Sequence, residues 1–184
     1  NGDFNKDLAE AKELALNLRD ATLTTMLTLL EFKMSISYQR TTWTVLSEFI
    51  KESSEVWEPY LRLLATNPYS NNKLVPPEER LSQSEFWKSQ INAINKGVLD
   101  DNRGFIIQMP TSAGKTLIAE LSILQQVGSN KKCLYIAPFR SLVNEVENNL
   151  SNRLSKLGYV VSSLSGSYEL NELDQFWLRE ADVL

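Results

Sequence analysis

The chain has 184 residues, enough for one well-buried domain and a smaller appendage, since a single core typically comprises about 100–150 residues. Its net charge of −4 and pI near 5.0 provide no overall basic field, so any contact with nucleic acid must be local. The sequence contains no histidine, which excludes histidine general bases, Ser-His triads and histidine-ligated metals.

The first 66 residues carry apolar side chains at helical spacing. Three stripes are formed by Leu8, Ala11, Ala15 and Leu18; by Leu23, Met26, Leu27 and Leu30; and by Trp43, Leu46, Ile50 and Trp57. We expect these stripes to pack in a core, although they could instead dock a protein partner. A turn-rich connector from 67 to 77 follows, so the sequence predicts an all-helical region, residues 1–75, and a second unit, residues 76–184.

In the second unit, predicted helices and strands alternate. The helices are expected at 84–95, 115–127, 141–157 and 171–179, and the strands at 104–109, 132–137, 158–164 and from 181. Alternation of this kind is typical of βαβ units, which form a parallel sheet with helices on its faces. The sequence therefore predicts an α/β fold whose ligands bind at the carboxyl ends of the strands.

The segment 108–116, QMPTSAGKT, follows the first predicted strand and opens a helix. The amides at a helix start lack partners and the helix dipole is positive there, so this loop suits a nucleoside triphosphate. Gly114 lets the backbone approach closely, Lys115 reaches the outer phosphates, and the Thr116 hydroxyl is placed to ligate Mg²⁺. Met109 stands where the G-x-x-x-x-G-K-[ST] pattern has its first glycine.

The second predicted strand contains the single cysteine, Cys133, which we expect to be a small buried core residue. One cysteine cannot form an intrachain disulfide or a cysteine zinc site. Together with an N-terminus unlike a signal peptide, it favours a cytoplasmic protein, and no apolar run approaches the roughly 18–20 residues of a membrane span. The absence of an initial methionine and the strand-like ending at 181–184 suggest a piece of a longer protein.

Two further segments accompany the phosphate loop: FWKSQ at 86–90 before it and YIAPFRSLVNE at 135–145 after it. Together the three resemble superfamily-two helicases, most closely the Ski-type branch that includes the helicase domain of DNA polymerase theta, over about residues 83–184. The resemblance implies the first RecA-like motor domain of a nucleic-acid-dependent ATPase, which uses ATP and Mg²⁺ to move along a strand and separate duplexes. The likeness to polymerase theta slightly favours DNA over RNA as the substrate.

The same resemblance assigns roles to individual residues. Gln90 would recognise adenine, since a side-chain amide can donate and accept at once. The nucleotide loop of the family corresponds to Thr111, Ser112, Ala113, Gly114, Lys115 and Thr116, and the family's contacts to the sugar-phosphate backbone correspond to Pro138, Arg140, Ser141 and, in a common type of turn, Gly166. A guanidinium and free amides at a helix start suit phosphate and position a strand without recognising its bases.

The acidic box of the family, Asp-Glu-x-His or Asp-Glu-x-Asp, does not occur in the 184 residues. Because phosphoryl transfer needs all the positioning and charged groups together, we expect the 184 residues alone not to hydrolyse ATP, although the parent protein should. Two alternatives remain: a P-loop phosphotransferase, which leaves Gln90 and the segment 138–145 unexplained, and a regulatory or scaffolding module with a lapsed loop. Met109 and the acidic net charge favour the latter.

Overall fold

The computed structural model describes residues 2–66, 83–100, 103–110, 113–164 and 172–184. The expected helical start of the chain is confirmed. It consists of α1 (Gly2–Asn17), α2 (Ala21–Arg40), α3 (Thr42–Val45), α4 (Ser47–Glu52) and α5 (Ser54–Thr66). Asp20 begins α2 as its N-cap, where its carboxylate accepts from the backbone amide of Leu23 at 2.9 Å.

The three apolar stripes of this region differ in burial. Leu8 and Ala15 of the first and Leu46 and Trp57 of the third are buried, as expected. The prediction of a packed stripe is wrong for five residues, which are all exposed: Leu18, the α2 residues Leu23, Met26 and Leu30, and Trp43. Because α2 contacts mainly α1, the outer side of this helix pair has no cover among the described residues.

The main core joins both halves of the chain. Trp57, Tyr60, Leu61 and Leu64 of α5 pack in one cluster with residues of the second half. The antiparallel bridge between Thr41 and Glu85 adds a backbone link, in which the amide of Phe86 donates to the carbonyl of Arg40 at 2.8 Å. The predicted boundary at residues 75/76 lies outside the described residues and stays a prediction.

The second half contains α6 (Lys88–Asn95), α7 (Lys115–Gly128), α8 (Arg140–Leu154) with a 3₁₀ turn (Ser155–Leu157), and α9 (Glu172–Glu180). The four predicted helices are thereby confirmed. The first begins later than expected because residues 84–86 pair with the end of α2 instead. None of the described helices is both long and apolar enough to cross a lipid bilayer.

The expected parallel sheet is present only as two isolated parallel bridges, Cys133 with Val183 and Val161 with Val183. The C-terminal segment thus lies between the other two, and its Leu184 amide donates to the Cys133 carbonyl at 3.0 Å. Over the described residues, the prediction of full strands is not met.

The strand predicted at 104–109 is wrong, because this segment forms no strand and the Ile106 side chain is fully exposed. A strand needs a neighbour to pair its backbone groups, and none of the described segments supplies one here.

Candidate nucleotide and strand site

The predicted phosphate loop does open a helix, since α7 begins at Lys115. Gly114 is its N-cap, with a left-handed φ of +79°, a conformation that glycine adopts without steric cost. Leu117 and Ile118 anchor the first turn of α7 in the core, so the free amides of the helix start are held at the loop. Thr111 and Ser112 lie outside the described residues.

Lys115 lies over its own loop. Its ammonium Nζ donates to the carbonyl of Met109 at 2.7 Å and to that of Pro110 at 3.2 Å, while the side chain remains exposed. Hydrogen bonds between two charged groups are stronger than those to neutral carbonyls, so a phosphate can displace both partners. Met109 contributes its backbone carbonyl to this contact, and its partly buried side chain packs against the core.

Gln90 lies directly under the loop and is 2% exposed. Its Oε1 accepts from the Trp87 amide at 2.8 Å, and its Nε2 donates to the Gly114 carbonyl at 3.2 Å. Both ends of the amide are thus engaged by backbone, so Gln90 fastens the start of α6 to the phosphate loop. Recognition of adenine by Gln90 stays a prediction.

Three of the predicted strand-contacting residues are described. Pro138, Arg140 and Ser141 follow the segment that bridges to Val183, and all three side chains are exposed. Arg140 is the first residue of α8, whose N-cap makes no side-chain hydrogen bond, so the amides of the first turn remain available to an anion. Gly166 lies outside the described residues.

The residues present fit ATP and Mg²⁺. A Cβ at Gly114 would come within 2.0 Å of Nε2 of Gln90, so the loop holds a position that only glycine fills, next to a helix start and an ammonium group. Mg²⁺ bound to a nucleotide takes most of its ligands from phosphates and water, so one hydroxyl such as that of Thr116 suffices from this chain. The described residues contain no cluster of three or more acidic, cysteine or histidine side chains that could hold a metal ion alone.

Sequence reasoning missed one pair of buried charges, Glu120 in α7 and Arg153 in α8. Glu120 lies on the apolar stripe of α7, three residues after Leu117, and a charge on such a stripe is a signal that could have been noticed. Its partner could not be found, since nothing in the spacing connects these two positions.

The chain belongs to the DEAD/DEAH box helicase family, which its residues 87–184 match, more than half of its length. This class of protein binds ATP and nucleic acid, and the expected resemblance to superfamily-two helicases is thereby confirmed.

Three relatives illustrate the likeness. The chain is 45% identical to the Hachiman protein HamB of Bacillus cereus over 103 residues, which are 55% of this chain and 9% of that protein. It is 38% identical to the DExH-box ATP-dependent RNA helicase DExH12 of Arabidopsis thaliana, over 44% of this chain and 4% of that protein. It is 30% identical to the ATP-dependent DNA helicase Hel308 of Methanocaldococcus jannaschii, over 48% of this chain and 8% of that protein. The chain thus spans less than a tenth of each of these relatives.

Proposed function

We propose that residues 76–184 are part of the first RecA-like motor domain of a nucleic-acid-dependent ATPase of the Ski-type branch, with a helical region at residues 1–75. The observation that carries the proposal is the loop at the start of α7. There Gly114 is left-handed, Lys115 covers the loop carbonyls, and Gln90 fastens the loop from below. Family membership supports the use of ATP.

In this proposal the loop amides hold the triphosphate and the Lys115 ammonium replaces its carbonyl partners by phosphate oxygens. Lys115 then stabilises the charge that develops on the outer phosphates during hydrolysis. Thr116 supplies a hydroxyl ligand to Mg²⁺, which when bound neutralises phosphate charge. Thr111, Ser112 and Ala113 complete the loop.

The strand site comprises Pro138, Arg140, Ser141 and Gly166. Arg140 grips phosphate with its planar guanidinium, and contacts of this kind do not distinguish DNA from RNA unless a 2′-hydroxyl is bound. Of the three relatives named above, one is a DNA helicase and one is an RNA helicase. We retain a slight preference for DNA. The exposed face of α2 supports a protein partner for the helical region.

The test of this function is ATP hydrolysis by the full-length protein with and without single strands. We expect hydrolysis that single strands stimulate. A phosphotransferase would hydrolyse slowly, ignore the strands and respond to a phosphate acceptor. A lapsed loop would bind ATP and Mg²⁺ no better than Lys115→Ala does.

Arg140→Ala should weaken strand binding by about 10- to 100-fold, because a charge-assisted hydrogen bond contributes roughly 1.5–3 kcal/mol. The slope of log affinity against log salt should also become less steep by about 0.7, since one phosphate contact to a single strand is lost. Fluorescence anisotropy over a salt series measures both quantities. Lys156→Ala removes an exposed charge at the other end of α8 and serves as the control. Equal effects of the two variants would mean that Arg140 contributes only to the overall electrostatic field and makes no specific phosphate contact.

Gln90→Ala separates recognition of adenine from fastening of the loop. If Gln90 recognises the base, the preference for ATP over GTP should fall by about 2- to 12-fold, the value of one neutral hydrogen bond. If Gln90 only fastens the loop through Gly114, both affinities should fall together and their ratio should stay constant. Because Gln90 also holds Gly114, we expect both affinities to fall and that for ATP to fall further, measured by calorimetric titration of each nucleotide.

A further inference from the structure

A buried ion pair joins α7 to α8. Nη1 of Arg153 donates to Oε2 of Glu120 at 2.7 Å, and the two side chains are 6% and 4% exposed. Nη2 of Arg153 also donates to Oε1 of Gln83 at 3.4 Å. The two charges are therefore held together, away from solvent, between the two helices.

Apolar side chains around the pair already supply the packing: Leu121 and Leu124 from α7, and Leu150 and Leu154 from α8. Burial raises the pKa of Glu120, whereas the charge of Arg153 opposes that rise. Burying two charges costs free energy that their attraction often does not recover, and apolar replacements are frequently as stable or more so. Stability alone therefore does not account for this pair.

The position of the pair is more informative. Glu120 lies about one and a half turns from the start of α7, where the phosphate loop ends. Arg153 lies near the end of α8, which begins at Arg140, roughly 20 Å away along the helix. The ion pair thus connects the helix that starts at the nucleotide loop to the helix that starts at the strand site.

We propose that Glu120 and Arg153 are positioning residues that make ATP binding and nucleic-acid binding depend on each other. This inference rests on the proposed function. When phosphate draws Lys115 away from its carbonyl partners, a shift of α7 reaches Arg153 through a directional charge-assisted hydrogen bond, and α8 carries it to Arg140. The bond between a carboxylate and a guanidinium is directional, so it fixes the register of the two helices more strictly than apolar packing alone.

The coupling is measured in the full-length protein as the factor by which a non-hydrolysable ATP analogue changes the affinity for a fluorescent single strand. The double variant Glu120→Leu/Arg153→Met replaces the pair by apolar side chains of similar size. Without nucleotide its strand affinity should stay within about twofold of the wild type. The coupling factor should fall from the usual range of about 5–150 towards one.

Tyr60→Phe is the matched control. The Tyr60 hydroxyl lies beside the pair: burial raises its pKa, and the Glu120 charge adds to that rise. It makes no hydrogen bond to the described residues. Its removal leaves the ion pair in place, so the coupling factor should match the wild type. Because linkage is reciprocal, the strand should change the affinity for the analogue by the same factor in each variant.

A folded double variant with the wild-type factor would overturn the inference, as would a wild-type factor of one. If circular dichroism shows the double variant to be unfolded, Glu120→Gln decides instead. It keeps the shape and an acceptor oxygen but removes the charge, so the bond to Arg153 is weakened. A coupling factor below that of the wild type supports the inference, and an unchanged factor overturns it. Wild-type coupling that survives in the variants removes only this inference, whereas wild-type protein without strand binding removes the proposed function as well.

Discussion

Lys115→Ala should abolish ATP turnover in the intact protein, with a loss of at least about 10²–10³ in rate, the usual effect of removing one group that stabilises transition-state charge. The fold should survive, because the side chain is exposed and its hydrogen bonds to the described residues go to two carbonyls of its own loop. Surface changes of this kind alter stability by about 0.5 kcal/mol or less. Steady-state hydrolysis and a thermal melt measure the two effects.

Lys88→Ala is the control for this variant. Lys88 is an exposed lysine at the first position of α6, so its removal changes net charge equally without touching the loop. It should retain full turnover. A Lys115→Ala protein that hydrolyses ATP at the wild-type rate would show that the loop holds no triphosphate, and the proposed function would then have no support from the site.

Gly114→Ala should inactivate the site and lower the free energy of unfolding by about 2–6 kcal/mol. A left-handed alanine costs of order 1–3 kcal/mol at this φ of +79°. Its Cβ would also lie 2.0 Å from Nε2 of Gln90, so the buried amide must move and give up its bonds to the loop and to Trp87, each worth about 0.5–1.5 kcal/mol. Denaturant unfolding and ATP titration test these effects.

Two other glycines separate the causes. Gly158 has a φ of +91° but open space around its Cβ position, so Gly158→Ala should show the backbone cost alone. Gly104 also has nothing within 4 Å and no left-handed φ, so Gly104→Ala should be close to neutral. If Gly114→Ala and Gly158→Ala lower stability equally, the contact with Gln90 contributes nothing.

The helices were the most predictable part of the fold, because their apolar stripes repeat over several turns within each segment. The start of α7 was equally predictable, since the loop residues and the apolar stripe after them lie next to each other in sequence. The sequence predicted a full parallel sheet, whereas the structure has only the bridges of Val183 to Cys133 and to Val161 among its described residues. Pairing of strands depends on distant segments, which is why the segment 104–109 misled the prediction.

Contacts between distant residues account for the rest. The bond from Gln90 to Gly114 and the ion pair of Glu120 with Arg153 each join positions that no periodicity relates. The exposure of α2 was missed for a similar reason, since a stripe shows which face is apolar but not what covers it. The roles of Gln90, Lys115 and Arg140 stay predictions until the variants above are measured.

The core shared by the two halves of the chain limits how far the protein can be shortened from its N-terminal side. The stretch that matches the helicase family starts at residue 87, yet Trp57, Tyr60, Leu61 and Leu64 of α5 share one core cluster with side chains of α7 and α8. The family match therefore begins after residues that the core needs. A fragment that began at residue 87 would lose the α5 side chains and expose the apolar core residues of α7 and α8 to solvent, which would favour aggregation.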